Sequence, residues 1–177
     1  FFGGAKYYFN RVKFEEKDLQ INGGLGRNNK VECLEGRMIA LIVAFAKNQV
    51  IGNKGCIPWK IKGEQKRFRE LTTGNVVIMG RRSYEEIGKP LPNRTTIVIS
   101  NTKKFEGENC FTARTLGGVR LYEEVLPFVE KMYITEINLD IEGDTFFPYF
   151  DQEKFVKEVN EKHTGEIPYT YVTYTRK

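Results

Sequence analysis

The chain has 177 residues, and its 28 basic and 23 acidic side chains give a formal net charge of +5 at pH 7. This length predicts one domain with room for a short appendage. Because basic and acidic residues are interspersed, the charge suits a small anionic ligand and argues against a nucleic-acid-binding arm. No apolar run approaches the roughly 20 residues of a membrane span and no signal segment opens the sequence, so we expect a cytoplasmic protein without a membrane partner.

The first 37 residues differ in texture from the rest of the chain. Residues 22–29 are too rich in Gly and Asn to hold a regular element. At Met38 a strand-like apolar run begins at once. We therefore predict an extension or linker of unknown role over residues 1–37 and a single globular domain over residues 38–177.

The first predicted strand is the apolar run Ile39–Ala46. Continuous apolarity, without alternation, is typical of a strand buried on both faces of a parallel sheet. We expect this strand to lie beside a second such run at residues 76–79. The glycine-punctuated loop between them carries Trp59, the only tryptophan, which could cover a ligand or simply belong to the core.

A helix is predicted over residues 63–72, where Glu64, Phe68 and Leu71 share one face. A carboxylate on this apolar stripe has two interpretations. It could complement the positive end of the helix, as most acids in a first turn do. Alternatively, it could be a partly buried acid that binds a protonated or amino-bearing heterocycle. Spacing alone leaves both open.

Two short apolar runs, residues 76–79 and 96–99, flank a short helix and predict a βαβ unit. The first run leads into Gly80-Arg81-Arg82-Ser83. There a glycine permits close backbone approach, the new helix presents free N–H groups, and the arginines add positive charge. We expect an anion such as phosphate at this turn, with a solvated basic turn as the alternative.

The last third of the chain predicts one more helix and several strands. Cys110–Ala113 reads as a short strand, and paired glycines at Gly117 and Gly118 open a helix that ends near Pro127, a second candidate anion site. Alternation predicts strands over Lys131–Ile137 and residues 169–174, antiparallel and near the sheet edge, with a third over residues 155–159.

Cysteine and histidine usage limits the chemistry. Cys33, Cys56 and Cys110 are far apart, odd in number and form no Cys-x-x-Cys pair, which predicts free thiols in a reducing compartment. The only histidine, His163, lies in a polar segment and is expected to be a solvated loop residue. A Ser-His-Asp triad and a His/Cys metal site are therefore not expected.

From Met38 onward the chain resembles dihydrofolate reductase, through ordered segments at compatible spacing. These segments are Val50-Ile51-Gly52 with Ile57-Pro58-Trp59, Val77-Ile78-Met79-Gly80-Arg81, residues 87–94, residues 117–122, Tyr133-Ile134-Thr135 and residues 142–148. The resemblance implies an α/β fold, a three-layer sandwich around a central, mostly parallel twisted sheet with an antiparallel C-terminal edge hairpin. It also implies NADPH-dependent reduction of 7,8-dihydrofolate to tetrahydrofolate by hydride transfer to the pteridine ring, with that small molecule as partner of a monomer.

Two alternatives stay open beside this reaction. One is a catalytically impaired module of the same fold that serves in binding or structure. The other is a related pteridine or pyrimidine reductase, which would not need the Arg94 that a glutamate tail requires.

The resemblance implies Glu64, Thr135 and Trp59 as catalytic residues. Glu64 occupies the position of the family's active-site carboxylate, which orients the pteridine and assists protonation of its ring nitrogen. Thr135 would hydrogen-bond beside it, and Trp59 would bound the pteridine through an ordered water. The implied substrate-binding residues are Ile42, Val43, Ala44, Glu64, Phe68, Ile87, Leu91, Arg94, Tyr122 and Thr135.

The cofactor is implied to lie along the turns that end the strands, and no metal is implied. The cofactor-binding residues are Ala44, Ile51, Ile57, Gly80, Arg81, Arg82, Ser83, Ser100, Asn101, Gly117, Gly118, Val119, Arg120 and Leu121. The turn at Gly80 would hold phosphates, including the adenosine 2′-phosphate, and the paired glycines would contact the pyrophosphate and nicotinamide. Residues 52–59 resemble the family's mobile lid, whose closure excludes water.

The chain departs from the family pattern before Gly117. In the family the paired glycines end a central strand that follows a helix, and such a crossover needs about a dozen or more residues. Here the predicted strand at Cys110–Ala113 runs almost directly into Gly117. Either a segment is absent, or something else fills the central position. Residues 1–8 resemble the family's strand–Gly-Gly–helix entry, which hints at an altered order of the chain or at a fused neighbouring piece of a similar reductase.

Overall fold

The computed structural model of the protein describes residues 6–9, 38–114 and 121–177. The strands are β1 (Lys6–Phe9), β2 (Ile39–Ala46), β3 (Val50–Gly52), β4 (Val76–Gly80), β5 (Thr95–Ile99), β6 (Cys110–Ala113), β7 (Lys131–Ile137), β8 (Thr145–Phe146), β9 (Phe155–His163) and β10 (Tyr169–Arg176). The α-helices are α1 (Glu64–Thr72), α2 (Arg81–Ile87) and α3 (Leu121–Val125).

One mixed sheet organises the described residues, with strands in the order β6-β5-β4-β1-β2-β7-β10-β9. β4, β5 and β6 pair in parallel, as do β2 and β7, whereas β9 and β10 form an antiparallel hairpin at one edge. A short separate ladder joins β3 to β8. The predicted α/β class, with its mostly parallel sheet and antiparallel C-terminal edge, is confirmed.

The predicted neighbours of β2 need correction. β2 does not lie beside β4, because β1 is inserted between them and is antiparallel to both. β7 is not an antiparallel edge strand either, since it pairs in parallel with β2 and only its other side meets β10. Residues Lys6–Phe9 form a strand, not the start of a helix that their likeness to the Gly-Gly entry suggested. Local periodicity identifies strands but does not specify which strands become neighbours.

Alternate residues of β2 contribute to the core on the two faces of the sheet. Leu41, Val43 and Phe45 join one buried cluster, and Ala40 joins another with Ile42 packed against it. This two-sided burial explains the uninterrupted apolar sequence of β2. Side chains of α3 pack on the first cluster, whereas α1 and α2 pack on the second, so helices cover both faces.

The helices beside the site begin and end at glycines. Gly63 precedes α1 with φ 101°, a left-handed conformation that favours glycine and that places Glu64 at the first position of the helix. Gly88 ends α2 with φ 74°, and its N–H donates to the carbonyl of Tyr84. β4 ends directly before the first residue of α2, the kind of position where ligands of α/β proteins usually bind.

Candidate active site

Glu64 is held by a hydroxyl group from the sheet. It is half-buried at the first position of α1, and the Thr135 hydroxyl donates to Glu64 Oε1 over 3.0 Å. Thr135 is itself buried, at 3% exposure, in β7. A first-turn acid that served only the helix dipole would not need this specific partner. The geometry therefore favours the second interpretation of the sequence, a carboxylate positioned for ligand binding.

Tyr171 is a further neighbour of Glu64 that the sequence analysis missed. It lies directly opposite Thr135 in the pairing of β10 with β7, and its hydroxyl is close enough to Glu64 for the carboxylate charge to act on it. Burial, followed by the negative charge of Glu64, raises the pKa of Tyr171, so it remains a neutral donor. The tyrosine alternation in β10 was visible in the sequence, but its register against β7 was not.

His163 is not the solvated loop residue that the sequence predicted. It is the last residue of β9 and half-buried, and its ring stacks on Tyr169 with centroids 4.4 Å apart. The edge-to-face contact with Tyr171 measures 5.2 Å. The β9–β10 hairpin runs further than the sequence suggested, and aromatic stacking shields this imidazole despite its polar neighbours.

Residues 52–59, the predicted lid and here called the lid loop, contact the sheet through apolar side chains at the Trp59 end. Trp59 is buried in a cluster with Ala46 and Val50, and Ala44 and Ile57 pack against the same cluster. Ala44, Ile57 and Trp59 are all predicted site residues, and the structure brings them together. Ile51, by contrast, is buried in the first core cluster with Val43.

The rest of the lid loop is tied to the segment before β8. Asp144 Oδ2 accepts a hydrogen bond from the Lys54 backbone N–H over 2.9 Å, and the Asp144 N–H donates to the Gly52 carbonyl over 3.1 Å. The Lys54 hydrogen bond is the main cause that lowers the pKa of Asp144. These two bonds hold Gly52 and Lys54, in the first half of the lid loop, to the segment before β8.

An apolar wall, formed by Phe68, Leu91, Ile42 and Ile87, lies on the face of the sheet that α1 and α2 cover. Phe68 and Leu91 are buried in one cluster, and the half-buried side chains of Ile42 and Ile87 pack against it. These four belong to the predicted substrate-binding residues, and the structure brings them together. Val43 points to the opposite face of the sheet.

Arg94 adds a buried cation at the rim of this wall. Its side chain is 7% exposed, and its guanidinium donates to Thr72 Oγ1 over 3.1 Å and to the Pro92 carbonyl over 3.0 Å. Burial, with a smaller effect from the charge of Arg69, lowers the pKa of Arg94. A guanidinium fixed in this way is suited to bidentate pairing with a carboxylate.

The turn at the end of β4 carries the candidate phosphate-binding residues. A Cβ at Gly80 would meet nothing within 4 Å, so the space beside this backbone is open. Arg81 pairs with Glu85 over 2.9 Å, and Lys103 reaches the same carboxylate over 2.7 Å. Arg82 is exposed and Ser83 is buried. Open space beside two arginines fits the phosphates of a dinucleotide.

Other predicted cofactor residues are only partly described. Ser100 is buried and its hydroxyl accepts a hydrogen bond from the Lys103 N–H, whereas Asn101 is exposed. Leu121 and Tyr122 belong to α3, and Tyr122 packs edge-on against Phe147 in the first core cluster. The remaining residues lie outside the described part of the chain: Gly117, Gly118, Val119 and Arg120.

Metal ligands and membrane-spanning helices were searched for among the described residues. Within residues 6–9, 38–114 and 121–177, no group of three or more His, Cys, Asp or Glu side chains could hold a metal ion. No helix in that part of the chain is both long and apolar enough to span a bilayer. Cys56 is an exposed free thiol and Cys110 a buried one, and Cys33 lies outside the described residues.

Comparison with known proteins identifies similar sequences and a similar fold. A family model described as dihydrofolate reductase matches residues 38–176. The chain is 38% identical to dihydrofolate reductase type A13 of Escherichia coli, over 81% of this chain and 97% of that protein. It is 32% identical to dihydrofolate reductase of Bacillus subtilis (strain 168), over 76% and 90% respectively.

A solved structure of dihydrofolate reductase from Enterococcus faecalis, complexed with NADP(H) and RAB-propyl, has a similar fold. It matches with a TM-score of 0.66 and 30% sequence identity, over 77% of this chain and 94% of that one.

The sequence alignments contain more positions than this chain supplies. The alignment with the type A13 protein is 160 residues long but uses 81% of the 177 residues, which leaves about 17 positions that only the relative fills. The alignment with the B. subtilis protein, 152 residues long and using 76% of this chain, leaves about 17 as well. The matched region is therefore shorter here than in these relatives.

Proposed function

This chain belongs to the dihydrofolate reductase family and reduces dihydrofolate with NADPH, and we propose that Glu64 is the acid that anchors the pteridine ring in that reaction. The observation that carries this assignment is the 3.0 Å hydrogen bond from Thr135 of the sheet to Glu64 of α1. NADPH, when bound, supplies the hydride. The side chains of this protein bind and orient dihydrofolate and assist protonation of its ring nitrogen.

Glu64 accounts for both orientation and proton transfer. A carboxylate can accept two hydrogen bonds from the amino-substituted edge of a pteridine, which fixes the ring in one plane. Thr135 donates to the carboxylate and so fixes its rotamer. Because the reduced ring nitrogen must gain a proton, an acid beside the ring supplies general acid assistance, directly or through a water next to Trp59.

The apolar wall and Arg94 would select the substrate. Phe68, Leu91, Ile42 and Ile87 offer a surface against which the flat ring and its linker can pack. Arg94 is already oriented by Thr72, so it loses little freedom when it pairs with the tail carboxylate of dihydrofolate. A reductase of tail-free pteridines or pyrimidines would have no use for this buried cation.

The dinucleotide would lie along the ends of the parallel strands. Gly80, Arg81, Arg82 and Ser83 border an open space that suits phosphate groups. The Arg81–Glu85–Lys103 network would adjust when a phosphate arrives, because Glu85 and a phosphate compete for the same cations. The contributions of residues 117–120, Ala44, Ile51, Ile57, Ser100, Asn101 and Leu121 remain predictions.

The lid loop would exclude water from the space between the two ligands. Burial fixes this loop at Trp59, and the Asp144 hydrogen bonds fix it at Gly52 and Lys54. Only the remaining residues of the loop need to rearrange on closure. Exclusion of water protects hydride transfer from side reactions and strengthens the electrostatic interactions of Glu64 with the ring.

The same physical arguments support our proposals on partners and organisation. Interspersed charges favour a small-molecule substrate over a nucleic acid, and we propose a monomer whose reductase domain includes residues 38–177. The free thiols of Cys56 and Cys110 suit the cytoplasm, where thiols stay reduced.

Replacement of Glu64 tests the central assignment. In Glu64→Ala, we expect kcat for dihydrofolate to fall at least about a hundredfold, because loss of a general acid usually costs that much. NADPH affinity, measured by fluorescence titration, should stay close to that of the unmodified protein, since the cofactor turn is untouched. A turnover rate equal to that of the unmodified protein would refute the role of Glu64.

A further inference from the structure

Strand β1 occupies an interior position of the sheet, although it comes from the segment before Met38. Tyr8 lies opposite Ala40 of β2 on one side and opposite Val77 of β4 on the other. Tyr7 is likewise flanked by Leu41 and Ile78. The strand is therefore paired along both edges, with the opposite direction to both neighbours.

The segment between β6 and α3 is too short to supply a strand in this position. β6 ends at Ala113 and α3 begins at Leu121, and the few residues between them are too short for a crossover, which takes about a dozen or more. The alignments agree, since the type A13 reductase fills about 17 positions, of 160 aligned, for which this chain has no residue.

An unfilled position would separate the two halves of the active site. Ile42 of β2 belongs to the apolar wall, and β4 ends at Gly80 of the predicted cofactor turn. Without a strand between them, both would expose unpaired backbone groups in the middle of the sheet, which folded proteins avoid. The sequence Lys-Tyr-Tyr-Phe suits a strand between β2 and β4, because aromatic residues favour strands.

We propose that Lys6–Phe9 is a permanent strand of the reductase domain, which replaces the central strand that the chain lacks. The segment runs antiparallel to both β2 and β4 and pairs with each of them. The catalytic domain therefore begins before Met38, and the boundary drawn from the sequence is too late. This inference is independent of the role of Glu64.

Engineered disulfides in the full-length chain test the register. In a background with Cys33→Ser and Cys56→Ser, we combine Tyr8→Cys with Ala40→Cys and retain Cys110, which is 1% exposed. The paired positions should form a disulfide within one chain on mild oxidation, as mapped by mass spectrometry. The matched control, Tyr7→Cys with Ala40→Cys, joins positions that are offset by one residue and hence lie on opposite faces of the sheet.

The disulfide result is decisive in each direction. A cross-link in the paired variant and little in the offset variant supports the proposal. Equal cross-linking in both variants, or none in either, would overturn it. A disulfide between two chains would also overturn it, because the strand would then come from a second copy.

A proline substitution gives a second readout in the intact chain. Tyr8→Pro removes a backbone donor from a strand that is paired on both sides, whereas Tyr8→Val keeps it. We expect amide exchange in Val76–Gly80 to become at least about tenfold faster in the proline variant and to stay unchanged in the valine variant. Equal exchange in the two variants would contradict the proposal.

A different observation concerns Tyr171, and this second inference rests on the proposed role of Glu64. Thr135 and Tyr171 are cross-strand partners: the Thr135 hydroxyl donates to the Glu64 carboxylate, and the Tyr171 hydroxyl lies close enough for the charge of that carboxylate to raise its pKa. Arg67, one turn after Glu64 in α1, lies 3.7 Å above the centre of the Tyr171 ring. The ring is thus fixed from the helix side as well as by the sheet.

We infer that Tyr171 is a positioning residue for Glu64. Its hydroxyl is a second donor that fixes the carboxylate, and Arg67 fixes the tyrosine. The titratable groups facing Tyr171 are Glu64 and Arg67 on α1, Tyr169 on β10 and His163 on β9.

Tyr171→Phe keeps the ring and removes the donor. We expect kcat for dihydrofolate to fall about tenfold, because a hydrogen bond to a charged group is lost, while the KM for NADPH is unchanged. The loss should fall on turnover of dihydrofolate alone, so the melting temperature should stay unchanged as well. A merely structural role would lower the melting temperature and would not separate dihydrofolate turnover from NADPH binding.

Tyr174→Phe is the matched control. Tyr174 is in the same strand, is 1% exposed and donates to Glu136 over 3.1 Å, outside the site. Removal of its hydroxyl should leave kcat for dihydrofolate unchanged. If Tyr171→Phe behaves like Tyr174→Phe while Glu64→Ala is slow, this inference fails alone. If Glu64→Ala is as active as the unmodified protein, the proposed function fails with it.

Discussion

Thr135→Val isolates the hydroxyl that fixes the active-site carboxylate. Valine has nearly the shape of threonine, so the substitution removes a donor from a buried position without opening a cavity. The lost bond spans 3.0 Å and ends on the half-buried Glu64. Hydrogen bonds to charged groups contribute about 1.5–3 kcal/mol, and partial exposure of Glu64 places this one at the lower end.

A loss of this size corresponds to about a tenfold decrease in kcat/KM for dihydrofolate. The assay is the decrease of NADPH absorbance over a range of dihydrofolate concentrations, with NADPH affinity measured separately by fluorescence. NADPH affinity should not change, because Thr135 contacts the acid and not the phosphate turn.

Thr173→Val is the control for general effects of the substitution. Thr173 is also a buried sheet threonine, at 5% exposure against 3% for Thr135, and its hydroxyl donates to Asn160 over 2.7 Å. Its replacement should leave kcat/KM unchanged even if it lowers the melting temperature. Equal catalytic losses in the two variants would refute the reasoning, because the effect would then come from the sheet and not from Glu64.

Three further predictions concern the substrate tail, the lid and a close backbone contact. Arg94→Gln should raise the KM for dihydrofolate at least about tenfold and leave the KM for a tail-free dihydropteridine unchanged, as steady-state assays of both substrates would show. The lowered pKa of Asp144 means that its bond to Lys54 is present above the usual carboxyl range and is lost as the pH falls through that lowered value. Asp144→Ala should therefore reduce kcat at neutral pH and converge with the unmodified protein in acid, and parallel pH profiles would contradict this. Gly143→Ala places a Cβ 2.3 Å from Val50 Cγ1 and should lower the melting temperature by several degrees in a thermal scan, unlike Gly165→Ala, whose Cβ meets nothing within 4 Å.

The sequence predicted the βαβ unit well because its signals are local. Val76–Gly80 and Thr95–Ile99 are parallel neighbours, and α2 begins directly after Gly80, as the apolar runs and the Gly-Arg-Arg turn indicated. Lys131–Ile137 and Cys110–Ala113 were also predicted with their observed bounds. In each case side-chain alternation or continuity reports on burial within one element.

The errors of sequence reasoning concern relations between distant elements. Nothing local in β2 shows that Lys6–Phe9 would separate it from β4. In the same way, Tyr171 was not predicted as a neighbour of Glu64, because that contact depends on the β7–β10 register and on where α1 crosses the sheet. Such contacts are set by tertiary packing rather than by periodicity.

The interior place of β1 bears on how the chain folds during synthesis. Lys6–Phe9 leaves the ribosome before both of its neighbouring strands, yet half of its backbone partners lie in Val76–Gly80, some seventy residues later. Contacts between such distant segments form slowly, because a long loop must close before they bring any gain. We therefore expect the centre of this sheet to be completed after its flanks, so a nascent chain ending before Val76 would remain open to proteases and chaperones.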